Sequence, residues 1–217
     1  MARVLTPTKR RGKPRWQRRK EARPAEIVSA ALDVFVERGF AATRLEDVAR
    51  RAGVTKGTVY LYFKNKDALF KAVVRETIVP VIAQGEALAQ SFTGSARDLV
   101  ERLVREYWRL IGETALAGIA KLMMAEGVTF PQLTKFYYEE VVVRGHRLMG
   151  SVIERGIASG EFRPVDVMVA AKLAMSPLMH ATVARMAFGK CMPEGFNVGK
   201  YLDTHIDLYL HGIAKRH

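Results

Sequence analysis

Cysteine is almost absent from this chain. Its 217 residues include one, Cys191, so neither an intrachain disulfide nor a cysteine-built zinc site can form. Long uncharged runs are missing too. The most apolar segment, after Pro164, still carries Lys172, His180 and Arg185, so no membrane span is expected. The charged N-terminal stretch is followed by no apolar h-region and does not read as a signal peptide. There is no convincing strand alternation and no internal repeat. The G-x-S-x-G, P-loop, G-x-G-x-x-G and H-E-x-x-H patterns of common enzymes are absent as well. Asp203, His205 and Asp207 are close in sequence, but on a helix residue 205 points away from the face that 203 and 207 share, which argues against a metal site. The expectation is a cytoplasmic protein that is no enzyme, with no catalytic residue, metal or cofactor.

Negative charge is also scarce. Asp and Glu total 22 against 35 Lys and Arg, leaving a net charge of +13. The excess is uneven: residues 1–23 carry +9, residues 24–75 carry +3 and residues 76–217 carry +1. An excess gathered at one end points to an anionic partner there, either nucleic acid or an anionic membrane surface. Residues 1–23 have no apolar period and contain Pro7, Gly12 and Pro14, so they read as a disordered basic arm.

From Pro24 onward the period is helical. Ile27, Ala30, Ala31, Val34 and Phe35 recur at spacings of three and four, with Gly39 as the stop. Thr43 and Glu46 have the spacing of a capping box, ahead of a short helix with Leu45, Val48, Ala49 and Ala52 turned inward. Gly53 ends it, and Thr55 caps a second short helix reaching about Phe63. Asn65 can cap the next helix, which runs from Lys66 to about Gln90. Further helices are expected over about 95–112, 114–126, 131–159, 165–188 and 198–213. The fold class is all-α: a three-helix N-terminal unit over 24–75 and a six-helix bundle over 76–217.

Two short helices joined by a tight turn, in a basic domain with a basic arm, make a helix-turn-helix that binds double-stranded DNA. Its second helix enters the major groove and its first crosses the backbone. Residues 48–69, V-A-R-R-A-G-V-T-K-G-T-V-Y-L-Y-F-K-N-K-D-A-L, resemble the tetracycline-repressor (TetR/AcrR) family, and the close match covers about 24–75. F-P-Q-L-x-x-F-Y-Y and G-E-F-R-P-V-D are more weakly similar to the C-terminal domain of one regulator subgroup. Lys56, Gly57, Thr58 and Tyr60 would lie towards the groove, where Lys56 can meet guanine acceptors and Thr58 or Tyr60 a thymine methyl. Thr43, Arg44, Thr55, Tyr62 and Lys66 would contact phosphates, which set register rather than sequence. Glu46 departs from the family pattern, in which a polar or basic DNA contact is common near this position, and its expected role is capping. Arg11, Lys13 and Arg15 resemble an AT-hook core and are candidates for a narrow minor groove.

The nearly neutral remainder reads as a sensor. Eight of nine methionines fall at or after Met123, and methionine suits adaptable apolar sites. With the resemblance, this suggests a small-molecule effector, apolar or aromatic, between helices. Tyr107, Trp108, Met123, Phe130, Tyr137, Met149, Met175 and Met179 would line its site, with His146 as a polar group. One short helix reads few base pairs, so a homodimer on a palindromic operator is expected. The resemblance puts the interface on about 165–188 and 198–213, with Tyr201, Leu202, Ile206, Leu208, Tyr209 and Ile213 offered by the second helix. It implies a repressor that the effector releases. The alternative is a helical nucleic-acid-binding or membrane-surface protein without an effector, which explains the arm but not residues 43–69.

Overall fold

A computed structural model describes residues 15–189, 191 and 197–215, with side chains from residue 23 onward. Arg11 and Lys13 lie outside the described residues, and so does the side chain of Arg15. Helix α1 (Arg15–Ala42) begins earlier than Pro24, with that proline inside it. The reading of residues 15–23 as part of a disordered arm is thereby corrected. A proline gives up one helical hydrogen bond but keeps φ near its helical value. The run Arg15–Arg23 otherwise consists largely of good helix formers such as Arg, Lys, Gln, Glu and Ala. Gly39, at φ 80° and ψ 171°, breaks the path in the last turn.

Helices α2 (Leu45–Arg51) and α3 (Lys56–Tyr62) come next, joined through Gly53 at φ 63°. Thr55 caps α3, its hydroxyl accepting from the Thr58 amide at 3.2 Å, and Asn65 caps α4 (Lys66–Ser91) by accepting from the Ala68 amide at 2.8 Å. The expected capping box at Thr43 does not form. Arg44 holds the N-cap position of α2 without a side-chain cap, and the Thr43 hydroxyl donates to the Gly39 carbonyl at 2.6 Å. The sharp turn after Gly39 uses the hydroxyl first.

Helix α5 (Ala96–Tyr107) continues into a π-helical turn, Trp108–Gly112, and α6 spans Ala117–Glu126. The long helix expected from Pro131 is continuous but changes pitch: α7 (Pro131–Tyr137), a π-helical stretch (Tyr138–Val143) and α8 (Arg144–Ala158). Then come α9 (Val167–Phe188), capped by Asp166, and α10 (Val198–Ile213), capped by Asn197. With α7 and α8 counted as one, nine helical bodies stand among the described residues.

Two apolar cores organise them. The first joins α1–α4, through Phe35, Val48, Val59 and Phe70, to Ile119, Leu122 and Leu133 of α6 and α7. The second gathers α5, α8, α9 and α10 around Leu99, Trp108, Ile153, Leu178 and Leu210. The head therefore does not end at residue 75. Helix α4 runs across that position, and α6 completes the head's own core.

Candidate nucleic-acid interface and apolar cavity

Val59 is the buried anchor of α3. Each residue turns an α-helix by about 100°, so Gly57 and Leu61 lie opposite Val59, flanked by Thr58 and Tyr60, while Lys56 is exposed at the first turn on the Val59 side. Tyr60 is 47% exposed and Leu61 74%. Leu61 is not among the residues expected from the sequence, although its place two residues from Val59 on a helix is signal enough. Ion pairs fix α2 to α1: Arg38–Asp47 at 2.9 Å, and Arg51–Glu37 through two hydrogen bonds of 2.9 and 2.6 Å. The hydrogen bond from Arg51 holds the Glu37 carboxyl below its ordinary pKa.

Several expected DNA contacts are engaged within the protein. Lys56 pairs with Glu46 at 2.5 Å and lies 5.6 Å from the centre of the Tyr60 ring. That hydrogen bond raises the lysine's pKa and lowers the carboxylate's. Glu46 is thus a partner for Lys56, in place of the expected cap. Thr43 is only 2% exposed and cannot offer its hydroxyl to a phosphate without leaving Gly39. Lys66 donates to the carbonyls of Phe40 (2.5 Å) and Ala41 (3.0 Å), and burial pulls its pKa down. Both leave the phosphate-facing set because the turn after Gly39 consumes their polar groups. Arg44 and Thr55 stay exposed, and Tyr62 is half-buried beside Phe63.

The second feature is a cavity of about 310 Å³ between α4, α5 and α8. Ile82, Leu88, Leu103, Ile111, Leu148 and Met149 give it apolar walls, and Gln84, Arg102 and Glu106 are its charged or amide-bearing lining. Gly85 belongs to the wall, where a Cβ would press on Leu148 at 2.8 Å. Arg144 of α8 grips Glu86 of α4 through hydrogen bonds of 2.6 and 2.5 Å.

The family model for bacterial regulatory proteins of the tetR family matches residues 27–73, and that for the C-terminal domain of AefR-like transcriptional repressors matches residues 98–211. The chain belongs to the tetR family of bacterial regulatory proteins. It is a DNA-binding transcriptional regulator of that family. Among its relatives, the fatty acid metabolism regulator protein of Bacillus subtilis (strain 168) is 27% identical over 158 residues, 71% of this chain and 79% of the relative. The uncharacterised HTH-type transcriptional regulator YdeS of the same strain is 30% identical over 176 residues, 79% of this chain and 81% of the relative. Among solved structures, the transcriptional regulator FadR of Bacillus subtilis in complex with stearoyl-CoA superposes with a TM-score of 0.76 at 21% identity, covering 87% of this chain and 98% of that one.

In this tetR-family chain the cavity unites only part of the expected effector set. Tyr107, Met149 and Met175 line it. Trp108 is packed in the second core and donates from Nε1 to Glu113 at 2.9 Å. Met123 and Tyr137 are buried in the first core, where burial drives the Tyr137 pKa upward. Phe130 stacks edge-on against Phe40, with centroids 4.8 Å apart. His146 is half-buried outside the lining, its pKa lowered by burial and by Lys172, and Met179 is not part of the wall either. These residues share helices with the cavity but point to other faces, and apolar composition alone does not separate core from wall.

The expected dimer surface is corrected in detail. Leu202, Ile206 and Ile213 are buried within the chain, and the Tyr201 and Tyr209 hydroxyls donate to the Pro177 and Ala170 carbonyls, both at 2.9 Å. The exposed apolar residues of α9 and α10 are Met168, Val169, Leu173, Phe188 and Leu208. Among the described residues α9 is the one helix long and apolar enough to cross a membrane. One side of it packs into the second core, and Arg185 near its end donates to the Gly112 carbonyl at 2.9 Å.

Proposed function

We propose that this regulator is a cytoplasmic repressor that reads a palindromic operator as a homodimer and leaves it when an apolar or amphipathic effector fills the α4–α5–α8 cavity. The observation that carries the reading is the pairing of an exposed face on α3 with an apolar cavity walled by α4, the helix that continues directly from the head. Arg44, Thr55 and Tyr62 take the phosphate-side contacts. Lys56, Gly57, Thr58 and Tyr60 meet the groove, and Leu61 supplies apolar contact to thymine methyls. The dimer forms through the exposed apolar residues of α9 and α10. Two reading helices must then stand about 34–36 Å apart to reach successive major grooves. An effector that binds better to a state with another spacing weakens DNA binding by that difference in affinity.

The cavity's walls are mostly apolar, with Gln84, Arg102 and Glu106 among the lining, which supports an apolar or amphipathic ligand. The stearoyl-CoA held by the FadR relative makes acyl thioesters the first class to try. The test is to footprint the protein on its own upstream DNA and then titrate acyl-CoAs of increasing chain length. Protection of an inverted repeat, lost with one of these ligands, supports the reading. A footprint that no apolar ligand alters, despite measurable binding of that ligand, removes the effector half of it.

A further inference from the structure

The last turn of α1, beyond the break at Gly39, leads into the reading unit, and it is bolted from two sides. Gly39 adopts a left-handed φ of 80°, which turns the following amides outward. The amides of Phe40 and Ala41 donate to the two oxygens of one carboxylate, Glu126 on α6, at 3.1 and 2.8 Å. The carbonyls of the same two residues accept from Lys66 at the start of α4. A two-residue turn thus has its donors satisfied by one helix and its acceptors by another. Amides bonded to a carboxylate are among the stronger hydrogen bonds available to a backbone.

The approach of α6 is made possible by small residues. Any Cβ at Gly39 would collide with Glu126 Oε1, and a Cβ at Gly118 would press into Val36 of α1 at 2.5 Å. Phe130, four residues beyond Glu126, stacks on Phe40. Helix α6 comes after the π-helical turn whose Leu110 and Ile111 line the cavity. A physical connection therefore runs from the cavity through this turn and α6 to the base of α2, separate from the one through α4.

We infer that Glu126 is a positioning residue for DNA reading, whose carboxylate fixes the last turn of α1 and thereby the placement of α3 relative to the second domain. The inference rests on α3 as the reading helix. It is tested in the full chain with Glu126→Ala, Glu126→Gln and Glu126→Asp. Exchange of the Phe40 and Ala41 amides, affinity for the footprinted DNA, and the spread of distances between spin labels at positions 61 and 151 in a Cys191→Ser background are the readouts. Glu126→Ala speeds exchange of both amides and weakens DNA binding about tenfold, the scale of one lost hydrogen bond to a charged group. It also broadens the label distances while far-UV circular dichroism stays unchanged. Glu126→Gln keeps one carbonyl oxygen and falls between wild type and Glu126→Ala, whereas Glu126→Asp is too short and resembles Glu126→Ala. Unchanged amide exchange, or DNA affinity per folded molecule equal to wild type, overturns the inference. A wild-type protein that binds no DNA instead defeats the assignment of α3, so the two failures are distinct.

Discussion

Lys66 and Arg44 separate two roles that look alike in sequence. Both are cations at the edges of the reading unit, yet Lys66 spends its ammonium on two backbone carbonyls while Arg44 is exposed. Lys66→Ala should lower unfolding free energy by about 1 kcal/mol, because the part-buried Phe40 carbonyl loses a charged donor and keeps only the Thr43 amide, and leave the salt dependence of DNA binding unchanged. Arg44→Ala should reduce the salt slope by about one with little loss of stability. Denaturant titrations and binding at several salt concentrations check both. Glu46 bears on a third cation, Lys56. It occupies Lys56 at 2.5 Å, and a carboxylate there repels phosphate. Glu46→Gln should tighten binding to non-specific duplex and steepen its salt dependence, read by fluorescence anisotropy. Looser or unchanged binding would mean that the pair does not restrain Lys56. The outward-facing residues of α3 are legible in the sequence because one buried valine sets the helical phase. The inward placement of Thr43 and Lys66 is not, since it comes from the turn after Gly39 and from long-range contacts that no local pattern carries.

Helix positions and caps are legible for a related reason. Asn65, Asp166 and Asn197 each sit where a side-chain oxygen meets the third amide of a helix, which is a local rule. The π-helical stretch Tyr138–Val143 obeys no such rule. Its sequence, Y-E-E-V-V-V, carries no signal for the wider pitch, and none of its residues is buried. A π turn holds one extra residue in an otherwise α-helical register, so removing that residue lets the stretch close to α pitch with the downstream helix in place. Deleting Val142 should therefore leave Leu148 and Met149 on the cavity wall and Arg144 paired with Glu86. The expected result is retained helical circular dichroism with a melting temperature close to that of wild type. A deletion variant far less stable than wild type would show that the register of α8 depends on the wider turn. The cavity lining is only partly legible, because Met and aromatic residues mark core and wall alike.

At the scale of the whole molecule, charge and apolar surface are segregated. The positive excess lies in the first third of the chain, while the exposed apolar side chains of α9 and α10 lie in the nearly neutral part. Leu173 and Leu208 are 60% and 68% exposed, which fits a self-complementary patch between two copies. Leu173→Glu combined with Leu208→Glu should yield monomers in sedimentation experiments and weaken operator binding, with helicity unchanged. A double variant that remains dimeric would move the interface elsewhere.

In the function proposed, the cavity and the reading helix share one equilibrium. Linkage makes this testable in both directions, because a ligand that lowers DNA affinity must itself be bound more weakly, by the same factor, when DNA is present. The measurement is the affinity for the footprinted operator with and without a saturating acyl-CoA of the tightest-binding chain length, paired with the acyl-CoA affinity with and without operator. A shared equilibrium gives equal reductions in the two affinities, about tenfold or more, within the usual range of such couplings. Tight ligand binding in the cavity that leaves operator affinity unchanged would contradict it.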